Sequence, residues 1–365
     1  MYKVIQWSTG NIGRQTLAAI IDHPDLELVA LYAHSEDKAG VDAGELCHRP
    51  PTGIKATGDI ETLIAMQADC VCLTPIFYDE DVVVRLLASG KNLVAPGGFI
   101  HPAGVQSAEF MQRIEGACKE GGSSTFGSGV NPGFINAVAI LLTQACRQVE
   151  SVTWDEFSYA GLYNSPESWS YVGLGLTPEE RERRGTSARP DPDAPNSLDF
   201  STFKEAVAMA GAALGLEIDE YRFGEEVAVA TKPIEVAWTT YEKGQVAGLR
   251  HWVTGYVGDK PMITGRVNWY MGLDLEPNWI PERSTREYLG RIEIEGEPSI
   301  SCDFGIGQGR FDDSNLVQNA IDPALVATAM PIVNAIPVVC EAAPGIRTYL
   351  DLPLFGAKHL AKLSV

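Results

Sequence analysis

The apolar positions of the chain fall into two regimes. Up to residue 149, short apolar runs alternate with amphipathic stretches. Lys3–Trp7, Leu26–Tyr32, Ala68–Leu73, Asn92–Ala95 and Ser124–Gly127 are predicted strands, and their Val, Ile, Leu and Cys content suits burial on both faces. Between them, Gly13–Ile21, Asp79–Ser89 and Gln106–Glu120 repeat apolar residues at helical spacing, the last two stopping at Gly90 and at Gly121-Gly122. Pro132 stands where it can open a further helix running to about Gln148. Strands and helices alternating in this way predict a parallel sheet, so residues 1–149 read as a doubly wound α/β, dinucleotide-binding domain of the Rossmann type.

After Glu150 the period changes. Ser151–Tyr159, Glu217–Ala230, Arg250–Val257, Met262–Tyr270 and Tyr288–Ile294 alternate apolar and polar residues, as antiparallel strands covered on one face do. One strong helix, Thr202–Leu214, interrupts them. Residues 150–322 therefore read as an α+β second domain, with a mainly antiparallel sheet and helices on one side. Thr177–Asn196, rich in Pro, Arg and Asp, reads as a solvated loop, with a lid as the functional alternative. Asp322–Val339 returns to an apolar helical pattern in which Pro331 and Pro337 predict a kink. The segment 323–365 is expected to pack back on the first domain.

Composition narrows the function classes. Of 365 residues 45% are hydrophobic and 21% charged, enough apolar material for two cores and too much for a disordered chain. Acidic residues outnumber basic ones 48 to 28, a net charge of −20, so no cationic surplus exists for a nucleic acid or an anionic membrane. No uninterrupted apolar run reaches the ~18–20 residues of a membrane span. The strand-like opening leaves no room for a signal peptide, and a cytoplasmic protein is expected. The seven cysteines are odd in number and scattered except for Cys70-Val71-Cys72, whose side chains point to opposite faces of a strand. They read as small apolar thiols in a reduced interior, and no metal site is predicted.

The residues richest in chemistry are Ser8, Thr9, Gly10, Asn11, Ile12, Gly13 and Arg14. They end the first strand and open the first helix, where a dinucleotide fingerprint belongs. Gly10 lets the backbone approach a pyrophosphate, Gly13 permits close helix–sheet packing, and the helix N-terminus offers N–H groups to the anion. Ser8 replaces the first glycine of the pattern; the bland reading is an ordinary turn with two glycines. After the second strand, His34, Ser35 and Lys38, with Arg14, are candidates for holding a 2′-phosphate, while Glu36 and Asp37 could serve a free 2′-hydroxyl instead. This favours NADP(H), with NAD(H) possible. Thr74-Pro75, Pro96-Gly97-Gly98 and the turn Gly127–Gly133 all follow strands, at the edge where open α/β sheets bind ligands. Thr74, Pro75, Gly97 and Gly98 are expected beside the nicotinamide half. Asn131 is a candidate for its carboxamide or for capping the helix that Pro132 begins.

The runs VIQWSTGNIGR, AHSEDKAGVDAGEL, GSGVNPGF and AAPGIRTYLDLPL resemble the dihydrodipicolinate-reductase-like superfamily, and more closely its branch of 2,4-diaminopentanoate dehydrogenase and the native amine dehydrogenases. The likeness runs over essentially the whole chain. It implies a Rossmann domain, an α+β second domain, NAD(P)H bound between them, a homodimer, and reversible hydride transfer to a C=N or C=O carbon. In the amine dehydrogenases of this branch, a glutamate just after the strand at Asn92–Ala95 handles ammonia and the iminium. Here that stretch, Pro96–Pro102, holds no carboxylate. Amine chemistry needs a base, and two glycines supply none.

His101 is the titratable group of that stretch, able to protonate a developing alkoxide or to be a structural His before Pro102. Tyr159, Tyr163 and Tyr171 are further candidate acids, with Trp169 among them, although such aromatics also build cores and interfaces. Asp155 and Glu156 fall on a strand and are not assigned to the site. The sequence thus predicts an NAD(P)H-dependent oxidoreductase that reduces a ketone or imine of a small, fairly apolar substrate. The alternatives are an amine dehydrogenase with a non-standard base and a non-catalytic dinucleotide-binding sensor.

Overall fold

The computed structural model describes residues 1–102, 107–161, 163–185, 202–285, 288–307 and 316–358. The chain divides into two compact units, Met1–Phe134 with the segment from Leu325 onward, and Ile135–Ala324.

The first unit is built on a seven-stranded parallel sheet. Its strands are β1 (Tyr2–Trp7), β2 (Leu26–Tyr32), β3 (Ala56–Thr57), β4 (Cys70–Leu73), β5 (Asn92–Ala95), β6 (Ser124–Gly127) and, from the chain's far end, a strand at Gly345–Arg347. The last pairs with β6, and the order across the sheet is Gly345–Arg347, β6, β5, β4, β1, β2, β3. From β1 the chain steps outward to β2 and β3, then returns to β4 on the other side. The carboxyl ends of β1 and β4 therefore flank the crevice where a doubly wound sheet takes its ligand. The five strands expected here form, and β4 is buried at every residue, as its unbroken Cys-Val-Cys-Leu composition requires. Helices α1 (Asn11–Asp22), α2 (Ala43–Leu46), α3 (Ile60–Ala65), α4 (Glu80–Ala88) and α5 (Ala108–Gly121) connect them.

The expected helix opening at Pro132 is corrected. Gly129 N donates to Pro132 O at 2.9 Å and Phe134 N donates to Gly129 O at 2.8 Å, which closes residues 129–134 into a turn. Helix α6 starts at Phe134 and ends at Thr143, because Gln148 already belongs to the next strand. Asn131 consequently cannot cap that helix.

The second unit holds a seven-stranded mixed sheet. Two of its long strands, β7 (Gln148–Tyr159) and Lys260–Tyr270, pair in parallel, whereas the other neighbours are antiparallel. One face packs on the helix Thr202–Ala213: a Cβ at Gly255 would lie 3.0 Å from Val207. Trp154, Val253, Ile263, Val267 and Ile292 form part of the buried core. Part of the expected loop Thr177–Asn196 is a helix, Pro178–Arg184, started by a capping box between Thr177 and Glu180 and stopped by Gly185. The remainder of that stretch lies outside the described residues.

The apolar helical pattern of Asp322–Val339 lies within the C-terminal helix Leu316–Cys340. Its segment Pro323–Cys340 has the length and mean hydropathy, 1.8, of a membrane span. Its Ile332, Val333, Ala335, Ile336 and Val339 are buried against Leu17, Leu31, Cys72 and Val94 of the first unit. The helix is thus a core element of that unit, which accounts for its apolar character.

Candidate active site

The turn after β1 is held from beneath by buried polar side chains. Gln6, wholly buried, donates from Nε2 to Ser8 O and to Thr74 Oγ1, both at 2.9 Å, and its Oε1 accepts from Thr16 Oγ1 at 2.8 Å. Thr74 Oγ1 donates to Trp7 O at 2.9 Å. This network ties the carboxyl ends of β1 and β4 to α1 at Thr16. Gln6 and Thr16 were missed by motif reading; the available signal was a polar residue inside an apolar strand and another on the apolar face of a helix.

Two glycines in the turn do different work. A Cβ at Gly13 would lie 2.5 Å from Ser8 O and 2.7 Å from Thr74 Oγ1, so this position must be bare for α1 to seat on the sheet. Gly10 has an ordinary φ of −69°, and a Cβ there would meet nothing within 4 Å. Nothing inside the protein demands a glycine at that position, which fits a backbone approached by a ligand. Gly10 caps α1 without any side-chain bond, and the first turn carries no acid, which leaves a helix N-terminus suited to an anion. The residues present therefore fit the pyrophosphate of a dinucleotide.

The cations gather at the same turn. Lys38 Nζ reaches Thr9 O at 3.5 Å, and Arg14 Nη2 donates to Asn11 Oδ1 at 3.2 Å. His34 is exposed, while Ser35 precedes the short 3-10 turn Glu36–Lys38. Glu36 and Asp37 are both exposed.

Past β5 the backbone makes a left-handed run: φ is +103° at Gly97, +68° at Gly98 and +55° at Phe99. Phe99 is buried against Tyr78 and Phe110, and its carbonyl accepts from Gly127 N at 3.1 Å. The missing carboxylate thus has a backbone correlate, because side chains rarely adopt this conformation. His101 follows, half-buried; burial pulls its imidazole below the ordinary value, and the Asp351 carboxylate acts in the opposite direction. On the neighbouring loop, Ser128 N donates to Ala95 O at 3.0 Å, and the Ser128 and Tyr349 hydroxyls lie 2.8 Å apart. Asn131, half-buried, belongs to that same loop.

The structure thus gathers Ser8 to Arg14, Ser35, Lys38, Thr74, Pro75, Gly97, Gly98, His101 and Asn131 on loops at the carboxyl edge of one sheet. Tyr163 and Tyr171 lie in the second unit. The Tyr163 carbonyl accepts from Trp169 Nε1 at 2.8 Å. Tyr171 is 54% exposed beside Pro166, Glu167, Ser170 and Arg184, where it lines an open hollow. The same unit buries polar groups that the sequence did not single out. Glu156 accepts from Trp269 Nε1 at 3.2 Å, and burial with Glu156 as neighbour pushes the Tyr288 phenol well up. His251 sits between the Phe203 and Trp269 rings, its imidazole held far below its ordinary value by burial. Among the described residues no cluster of His, Cys, Asp or Glu could hold a metal.

A doubly wound sheet with a ligand-shaped turn at its switch point defines the class: a pyridine-nucleotide-dependent oxidoreductase. The comparisons agree. Residues 134–361 match the family described as 2,4-diaminopentanoate dehydrogenase C-terminal domain, and residues 4–74 match dihydrodipicolinate reductase, N-terminus; the chain belongs to the former family. It is 29% identical over 97% of both chains to an amine dehydrogenase of Streptomyces virginiae. It is 25% identical to the 2,4-diaminopentanoate dehydrogenase of Acetoanaerobium sticklandii, over 74% of this chain and 67% of that one. In fold it is similar to the amine dehydrogenase from Mycobacterium smegmatis, with a TM-score of 0.77, 17% identity and 97% of each chain covered.

Proposed function

We propose that the protein uses NADPH in preference to NADH to reduce a C=O or C=N carbon of a small, fairly apolar substrate. The observation that carries this reading is the pair of turns on one sheet edge, one shaped for a pyrophosphate and the other lacking a carboxylate. When bound, the dinucleotide supplies the hydride. The chain's own residues bind and orient it: the α1 N-terminus and Gly10 take the pyrophosphate, and Lys38, Arg14, His34 and Ser35 take the 2′-phosphate. Glu36 and Asp37 count on the NADH side, but they are exposed, whereas Lys38 leans on the turn itself. His101 exchanges the proton at the oxygen or nitrogen of the reacting bond. Ile76 and Phe77, 60% and 59% exposed just past Thr74-Pro75, offer an apolar edge to the substrate.

The test combines a fluorescence titration with NADPH and NADH and a panel of ketones with and without ammonia. Binding of NADPH with ammonia-independent turnover supports the reading. Turnover only with ammonia would make the protein an amine dehydrogenase with another base, and binding without turnover would make it a sensor. Failure to bind either nucleotide refutes all three. We propose that the protein is a homodimer, which sedimentation would report as twice the 39.5 kDa chain. The seven free thiols suit a reducing compartment such as the cytoplasm.

A further inference from the structure

The C-terminal run GIRTYLDLPL has no part in the reading above, yet the fold brings it to the same sheet edge. Gly345–Arg347 adds a strand beside β6, and the chain then turns at Thr348–Leu352. That turn is closed on itself. Asp351 N and Leu352 N donate to Thr348 O at 3.1 and 3.3 Å, and Thr348 N and Oγ1 each donate to Asp351 Oδ2 at 2.8 Å. The Tyr349 ring stacks on Phe355 at 5.8 Å and meets Phe126 edge-on at 5.1 Å. Packed in this way, the ring holds its hydroxyl in place, 2.8 Å from the hydroxyl of Ser128.

Ser128 is wholly buried at the root of the turn Gly127–Gly133, which carries Asn131. Its N donates to Ala95 O at 3.0 Å, and Gly127 N donates to Phe99 O at 3.1 Å. The packing there leaves no slack: a Cβ at Gly133 would lie 2.4 Å from Ser128 Oγ, and one at Gly127 would lie 1.6 Å from Gly98 O. The Gly97-Gly98 run and the turn of Asn131 are therefore one packed body. Among the described residues the Tyr349 hydroxyl has no other hydrogen-bond partner, and Ser128 Oγ has besides it only the Gly129 carbonyl, at 3.4 Å. Two apolar side chains would fill the same space at little cost in stability, but a hydrogen bond also fixes the direction of what it holds. We propose that Tyr349, acting through Ser128, is the positioning residue for the nicotinamide end of the cofactor site, holding in place the turn that carries Asn131. The inference rests on the reading of the protein as a nicotinamide-dinucleotide enzyme. The phosphate turn has its own brace in Gln6, Thr16 and Thr74, which shares no hydrogen bond with Tyr349 or Ser128. Loss of one brace should therefore be felt at one end of the ligand.

The experiment compares, by calorimetry on the full chain, each dinucleotide with its nicotinamide-free counterpart: NADPH with 2′-phospho-ADP-ribose, and NADH with ADP-ribose. Tyr349→Phe removes one oxygen and keeps the packed ring. It is expected to weaken the dinucleotides by about three- to tenfold, the worth of one hydrogen bond, and their counterparts by less than about twofold. Ser128→Ala should show the same selective loss. The double variant should bind no more weakly than either single one, because the two hydroxyls make one bond. Equal weakening of dinucleotide and counterpart would mark a brace of the whole fold and overturn the inference, as would unchanged binding in both variants. Should Tyr349→Phe not fold, Ser128→Ala carries the same comparison with Tyr349 intact. A wild-type protein that binds neither dinucleotide refutes the enzyme reading and the inference together. One that binds them, with variants that show no selective loss, overturns the inference alone.

Discussion

Exchanging each glycine of the phosphate turn for alanine separates folding from binding. At Gly13 the added methyl would lie 2.5 Å from Ser8 O and 2.7 Å from Thr74 Oγ1, where ordinary contact begins at 3.4 Å. Both atoms are pinned, one being backbone and the other hydrogen-bonded to Gln6 and Trp7, so α1 must shift outward. Overpacking of this kind costs about 1–3 kcal/mol, and the better helix propensity of alanine returns up to about 1. A net loss of about 1–2 kcal/mol corresponds to a fall in Tm of roughly 2–8 °C. Gly10→Ala meets no atom and keeps an allowed φ, so its stability should stay within about 0.5 kcal/mol of wild type. Its methyl nevertheless enters the space assigned to the pyrophosphate, and NADPH and NADH should each bind at least about tenfold more weakly, equal to 1.4 kcal/mol. Thermal melts and nucleotide fluorescence titrations on the two variants read both quantities. A stable Gly10→Ala protein that binds nucleotide as tightly as wild type would refute the assignment of that space.

Other expectations follow from the same geometry. Lys38→Ala should weaken NADPH by about tenfold or more and NADH much less, and equal losses in paired titrations would count against the 2′-phosphate role. Gly98→Glu, which restores a carboxylate to the rim, forces a side chain into a left-handed position and should cost about 1–2 kcal/mol in denaturant melts. Ile336→Ala empties a fully buried site in the C-terminal helix and should cost about 2–5 kcal/mol, whereas a lipid-facing residue would leave melts in detergent-free buffer unchanged. His101 and His251 both have folded pKa values below the ordinary ~6.5. As pH falls through that value, the unfolded chain binds protons that the folded chain refuses, so stability should decline on acidification below ~6.5 by up to ~1.4 kcal/mol per unit for each imidazole. His251→Phe should flatten that slope in melts recorded between pH 7 and 5; an unchanged slope would show that the buried imidazole does not drive it.

Much of the molecule was legible along the chain, and the reason is local. Continuous apolar runs bounded by Gly and Pro specify buried parallel strands, and the strand–turn–helix context of Ser8 to Arg14 places a phosphate turn without any knowledge of neighbours. The pairs that complete the rim could not be read this way. Gln6 meets Thr74, and Ser128 meets Tyr349 from the opposite end of the chain, because sheet order rather than sequence distance sets which loops adjoin. Patterning also put a helix start at Pro132, where the hydrogen bonds of residues 129–134 close a turn instead. A core helix and a membrane span share length and hydropathy and differ only in what packs on them, so the partners of the C-terminal helix are set by the fold. The sequence by itself determined the elements, the phosphate turn and the absence of a carboxylate at Gly97-Gly98, all properties of neighbouring residues. The tertiary structure decided that the C-terminal turn at Tyr349 joins the rim at Ser128, because only folding brings residues 221 apart in sequence within hydrogen-bond reach.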